Sequence, residues 1–335
     1  MSYTGALIGI TRVKGNRYIM SRSFAFVFPG QGSQSLKMMD GFLANQIITN
    51  TFAEASDILH TDFLAMLQDS SADTINQTIN TQPLMLISGY ATFLAWKSVS
   101  AKLPVILAGH SLGEWTALVA SGVLSFSDAL KLVKFRAKAM QDAVPLGVGA
   151  MAAIIGLDDN SVNSVCEQIA NATHEVVAGA NFNAPGQVVI AGDVVAVERA
   201  MLELKTLGAK MIKKLPVSVP SHCKLMLGAS EKLAETMADV NFNVPTIPVL
   251  HNYNVASYTD PNAIKEALIK QLYSPVLWTQ TIEHIVDLGV SEIIECGPGK
   301  VLSGLNRRIN PDAQCMNFNT AVDFKNLFNH IRNQS

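Results

Sequence analysis

One pentapeptide, Gly109-His110-Ser111-Leu112-Gly113, limits what this chain can fold into more than any other stretch. An apolar run, Val105-Ile106-Leu107-Ala108, precedes it, and a helical pattern from Glu114 to Ala120 follows. A strand that turns sharply into a helix over Gly-x-Ser-x-Gly is the setting of a nucleophile elbow. Glycines suit a turn so crowded that a Cβ would collide. The Ser111 hydroxyl then projects from the turn. The Leu112 N–H stands first in the helix and has no partner within it. A nucleophile and one arm of an oxyanion hole thus come from neighbouring residues. The plain alternative is a glycine-flanked turn with an inert serine.

The rest of the chain must supply a scaffold for that turn. Its 335 residues, 49% hydrophobic and 16% charged, are enough for two domains or for one domain with an insertion. A net charge of -2 gives no general basic field for nucleic acid. No run of about 18 apolar residues is present, so no membrane span is expected. The four cysteines form no C-x-x-C pair and no zinc-like cluster with histidine. Free thiols in a reducing compartment, the cytoplasm, are the expectation. No metal site is expected. Met1–Met20 lacks the apolar length and cleavage site of a secretory signal. Residues 1–22 are read as an N-terminal extension, with Met20 just ahead of the first strand.

Ser23–Phe28 is nearly all apolar, as a central parallel strand should be. It ends in Pro29-Gly30-Gln31-Gly32, a tight loop at the strand's carboxyl end, where open α/β sheets bind ligands. Residues 38–99 read as several helices, with Gln82-Pro83 opening the longest. The next helix spans 125–144, capped by Ser125 or Ser127. Lys131, Lys134 and Lys138 share one of its faces, and Arg136 lies about 150° away, on the apolar side between Leu132 and Met140. An inward guanidinium is costly unless paired. Arg136 is therefore either bridged to a buried acid or a receptor for an acidic substrate tail.

Residues 147–217 change texture, to β-α-β-β-α-β, the order of a ferredoxin-like split unit. They are read as an insertion between 23–146 and 218–315. Val217–His222 returns the chain to the main body. Ser221 is expected to cap the following helix and to place His222 at its start. Ser111 needs a base, and of the seven histidines His222 has the rigid, proline-fixed setting. The neighbouring Cys223 is a weaker rival nucleophile. Cys296-Gly297-Pro298-Gly299 lacks the Walker spacing and reads as a plain turn before a last helix through Arg308.

Phe28-Pro29-Gly30-Gln31-Gly32-Ser33-Gln34, the elbow, Arg136, Pro220-Ser221-His222 and Gln271-Leu272-Tyr273-Ser274-Pro275 occur in that order. Together they resemble the bacterial malonyl-CoA:acyl-carrier-protein transacylases of type II fatty acid synthesis, and the acyltransferase domains of polyketide synthases. The resemblance runs from about Phe24 to Arg308. It implies an α/β-hydrolase-like core with a parallel sheet and an inserted ferredoxin-like subdomain. It also implies a malonyl-serine intermediate on Ser111, with His222 as base and acid, and Gln31 and Leu112 as oxyanion donors. Arg136 would hold the malonyl carboxylate, and a main-chain carbonyl at Gln271 would orient His222. Met140 and Ser221 are expected to line the pocket, and Asn183 and Gln187 to contact coenzyme A. Lys210, Lys213, Lys214, Arg307 and Arg308 are candidates for docking an acidic acyl carrier protein through its phosphopantetheine arm. A cytoplasmic monomer without bound cofactor is implied. The rivals are a serine hydrolase or thioesterase using Asp193 as its acid, a non-enzymatic carrier-binding module, and a transacylase for another extender unit such as methylmalonyl.

Overall fold

The computed structural model describes residues 23–216, 219–318 and 320–332. The expected N-terminal extension, 1–22, lies outside the described residues, as do Val217 and Ser218 at the expected end of the insertion. In chain order, β1 (Phe24–Phe28) leads to α1 (Gln46–Leu59), α2 (Phe63–Asp69), α3 (Ala72–Asn76) and the long α4 (Thr78–Val99). Then come β2 (Ile106–Gly109), α5 (Leu112–Ala120) and α6 (Phe126–Ala143). A second group follows: β3 (Gly149–Ile155), α7 (Asp159–Thr173), β4 (Val177–Ala184), β5 (Gln187–Asp193), α8 (Val194–Thr206) and β6 (Met211–Lys214). The chain continues through α9 (Leu227–Met237), β7 (Val249–Leu250), α10 (Pro261–Tyr273) and α11 (Trp278–Asp287). It closes with β8 (Glu292–Glu295), α12 (Val301–Ile309), β9 (Gln314–Asn317) and α13 (Ala321–Arg332).

Two sheets result. One is parallel, five-stranded, in the order β7-β2-β1-β8-β9. All five residues of β1 are buried, because helices cover both faces of such a sheet. Phe26 lies edge-on to Phe93, Trp96 and Phe318, which ties β1 to α4 and to the segment before α13. The other sheet is antiparallel, in the order β4-β5-β3-β6. Ile154, Val188 and Ile190 of this sheet pack under α7 and α8 against Val162, Ile169, Val197 and Leu204, forming a second core. Its opposite face carries Met151, Ala153 and Val189 into a cleft beside the parallel sheet.

Several expectations need correction. The longest helix starts at Thr78, not at Gln82, and holds Pro83 inside it. Proline there removes the bond to the Ile79 carbonyl, a cost of about 3 kcal/mol. Burial of α4 on nearly all sides outweighs that cost. Ser221 caps no helix. α9 begins only at Leu227, after a short 3₁₀ turn, and the Ser221 hydroxyl lies 3.5 Å from the Val219 carbonyl. The helix ending at Ile309 is not the last, since β9 and α13 follow. Phe318, Leu327 and Ile331 join the main core, so that body continues past residue 315.

Candidate active site

The elbow forms as its glycines require. A Cβ at Gly109 would lie 1.9 Å from the Gly113 carbonyl carbon, and one at Gly113 would lie 2.0 Å from the Phe28 carbonyl oxygen. A Cβ at Gly30 would lie 2.2 Å from the His110 carbonyl oxygen. The loop after β1 and the turn after β2 are therefore in main-chain contact. That contact sets Gln31 beside Ser111 at the mouth of the cleft. Ser111 adopts φ 50°, ψ -105°, outside the helix that Leu112 begins. Its N–H donates to Asn252 Oδ1 at 2.7 Å, and Asn252 Nδ2 donates to the Gly109 carbonyl at 2.7 Å. Asn252 thus bridges the two sides of the turn.

His222 meets the serine. Its Nε2 is 2.8 Å from Ser111 Oγ, and its Nδ1 is 2.8 Å from the main-chain oxygen of Gln271. A carbonyl can only accept, so Nδ1 carries the proton and Nε2 is left to accept from the hydroxyl. The His222 N–H donates to the Leu272 carbonyl at 3.0 Å. His222 has φ 63° in a turn, not at a helix start. Burial and the nearby Arg136 charge lower its pKa from 6.5 to about 3. The ring is neutral at any ordinary pH.

Arg136 is buried on the inner face of α6, as the helical spacing predicted. Nη1 donates to Gln82 Oε1 at 2.7 Å and Nη2 to Gln271 Oε1 at 3.2 Å. Nη2 also lies 3.4 Å from Ser111 Oγ, while Nε has no partner among the described residues. Burial lowers the guanidinium from 12.5 to about 10, against the opposing pull of Glu114, so it remains charged.

Behind the serine lies a polar cluster. The buried Glu114 takes a hydrogen bond from His251 Nδ1 at 2.7 Å, from the Asn252 N–H at 2.8 Å and from Gln271 Nε2 at 2.8 Å. Gln82, Glu114, His251 and Asn252 were not anticipated. One signal for Glu114 was available: an acid in the first turn of an otherwise apolar helix.

The remaining candidates scatter. Met140, Ser221, Asn183 and Gln187 all line the cleft, whose volume is about 360 Å³. Asn183 accepts from His110 Nε2 at 2.8 Å, and Gln187 accepts from Arg308. The lysines do not form one patch. Lys214 pairs with Ala152, on the face under α8, and reaches Glu198 at 2.7 Å. Lys213 pairs with Ala153, on the cleft face. Lys210 is exposed and covers Gly156. Arg307 donates to the Cys315 carbonyl at 2.9 Å. Asp193, the acid a hydrolase would need, accepts from the Val176 N–H at 2.7 Å, and His222 Nδ1 is already held by Gln271. Cys223 donates to the Pro220 carbonyl, and burial pushes its thiol up to about 12. The glycine-proline-glycine loop is no phosphate cradle, because buried Glu295 takes the Leu302 and Ser303 N–H groups at the start of α12.

The chain is similar to known proteins. The family described as "Acyl transferase domain" matches residues 25–309. The malonyl CoA-acyl carrier protein transacylase of Salmonella typhimurium is 52% identical over 287 residues, covering 85% of this chain and 92% of the relative. The solved transacylase of the same name from Coxiella burnetii superposes with a TM-score of 0.91 at 43% identity, over 94% of this chain and 99% of its own. A malonyl-transacylase solved in complex with its type II PKS acyl-carrier protein has a TM-score of 0.90 at 44% identity, over 92% of this chain and 99% of its own.

Proposed function

The chain belongs to the acyl transferase family, among the malonyl-CoA:acyl-carrier-protein transacylases, and from that premise we propose how its residues carry the reaction. It moves malonyl from malonyl-CoA to acyl carrier protein for fatty acid synthesis. Ser111 Oγ attacks the thioester carbonyl as His222 Nε2 takes its proton. The main-chain N–H groups of Gln31 and Leu112 receive the developing oxyanion; loss of one such donor typically costs about 10²–10³ in rate. The tetrahedral species collapses, the C–S bond breaks, and His222 returns the proton to the departing coenzyme A thiolate. A malonyl-serine ester remains. The phosphopantetheine thiol of the carrier then gives its proton to His222 and attacks, and Ser111 leaves reprotonated.

Arg136 gives the site its substrate. A buried guanidinium 3.4 Å from the nucleophile, with an Nε donor that has no partner among the described residues, is the observation that carries the malonyl reading. A carboxylate accepts bidentately from it, whereas acetyl leaves it unpaired. A hydrolase has no need of such a group. Intact-protein mass spectrometry after mixing with equal malonyl-CoA and acetyl-CoA tests the assignment. The expected result is a malonyl adduct, absent in Ser111→Ala and no longer favoured over acetyl in Arg136→Ala. A malonyl adduct on Ser111→Ala would overturn it.

The finer architecture is part of the same reading. The strand order β4-β5-β3-β6 with α7 and α8 on one face supports a ferredoxin-like insertion at 147–217. The strand-elbow-helix at β2 and α5 supports a hydrolase-like body over 23–146 and from 218 onward, through α13. Asn183 and Gln187, at the cleft wall, are assigned to coenzyme A. Lys213 and Arg308 are the cations best placed for the carrier. The four buried thiols support a cytoplasmic setting.

A further inference from the structure

Gln271 is held at both ends of its side chain. Nε2 donates to the Ser111 carbonyl at 3.0 Å and to Glu114 Oε2 at 2.8 Å, while Oε1 accepts from Arg136 Nη2 at 3.2 Å. A carbonyl and a carboxylate only accept, and a guanidinium only donates, so one orientation of the amide satisfies all three. Glu114 imposes it together with the Ser111 carbonyl, and makes the shorter bond of the two. Its two oxygens take three donors, from Gln271, His251 and the Asn252 main chain. His251 Nε2 has no partner among the described residues, and the Glu114 carboxylate acts electrostatically on Arg136.

We propose that Glu114 is a positioning residue for substrate choice: by fixing the Gln271 amide, its carboxylate aims Arg136 at the malonyl carboxylate. The inference rests on the malonyl-serine reading above. Glu114 stands on α5, one turn behind the nucleophile, yet its influence passes through α10 to α6. A glutamine at 114 has one acceptor oxygen for three donors. Its NH₂ must then confront a donor, and the Gln271 amide is freed to turn its own NH₂ toward the guanidinium. Two facing donors push Arg136 out of register.

The test compares self-acylation by malonyl-CoA and by acetyl-CoA in wild type, Glu114→Gln and Glu114→Asp. Glu114→Gln is expected to lower kcat/KM for malonyl-CoA by about 10- to 100-fold and that for acetyl-CoA by less than about threefold. Glu114→Asp, which keeps the charge, is expected to recover most of the malonyl preference. A purely structural role would lower both substrates together, and that result, or an unchanged ratio, overturns the inference. Should Glu114→Gln fail to fold, Gln271→Met poses the same question, because it removes the linking amide and keeps the main-chain carbonyl beneath His222. It too must lower the malonyl-to-acetyl ratio by about tenfold or more, and an unchanged ratio overturns the inference. If wild type itself forms no malonyl adduct, the reading of the site fails first, and the two failures are thereby told apart.

Discussion

Ser111 and His222 both sit at positive φ, 50° and 63°, a backbone region that costs side-chain-bearing residues about 1–3 kcal/mol each. Neighbouring structure holds them there, Asn252 for the serine and the Gln271 and Leu272 carbonyls for the histidine. Because burial and Arg136 take His222 down to about 3, the resting site needs no deprotonation near neutrality. The acylation kcat/KM should therefore stay flat from pH 8 down to about 5, and an inflection near the ordinary histidine value would contradict this. The same shift affects stability. The unfolded chain protonates His222 below 6.5 and the folded chain does not until about 3. Stability from this group is thus full above 6.5 and is lost as pH falls through that window, at up to about 1.4 kcal/mol per pH unit. His222→Asn should make the fall of Tm with acid shallower, and calorimetry between pH 4 and 7 would register it. Ser111, His222, Arg136 and Gln31 were legible because each stands in a local pattern: a glycine-framed turn, a proline turn, a lone cation on an apolar stripe. Gln82, Glu114 and Asn252 were not. Their importance comes from burial beside a charge, which only the tertiary arrangement creates.

The elbow is an element whose spacing is set by main-chain contacts. Gly113→Ala would push a methyl into the Phe28 carbonyl, and neither strand can yield without moving the other oxyanion arm. It should lower stability by about 1–3 kcal/mol and abolish acylation, as thermal melting and adduct formation would show. Gly304→Ala, at an exposed position in the middle of α12 where no atom outside the helix backbone lies within 4 Å of the added carbon, should instead stabilise by about 0.5–1 kcal/mol at full activity. Most elements were readable at this scale, since alternation and helical spacing locate β3–β6 and α6. The start of α4 was misread because Pro83 ordinarily marks a first turn, and the burial that overrides it is not local. The α9 boundary was misread for a similar reason: Pro220-Ser221 looks like a cap, but the chain there is spent on aiming His222.

Across the whole molecule the cleft lies between two sheets, with Ser111 on one and much of the opposing wall on the other. On the proposed reading the carrier brings its arm in along that wall. Lys213 is the lysine of its strand that faces this side, so Lys213→Glu should reduce carrier kcat/KM about three- to tenfold at low ionic strength and progressively less as salt rises. Lys214→Glu, on the far face beside Glu198, should do much less, and stopped-flow transfer assays across salt would separate the two. The main-chain contact beneath His222 also governs what mutagenesis can find. The acceptor beneath His222 is a main-chain oxygen, which every amino acid carries. A scan replacing each side chain in turn would return a serine-histidine pair with no third member. At position 271 it would register altered carboxylate choice and miss the acceptor. That partner is immune to ordinary genetic loss: an amide-to-ester replacement after Gln271 would only weaken its carbonyl as an acceptor, and a displacement of α10 would remove it.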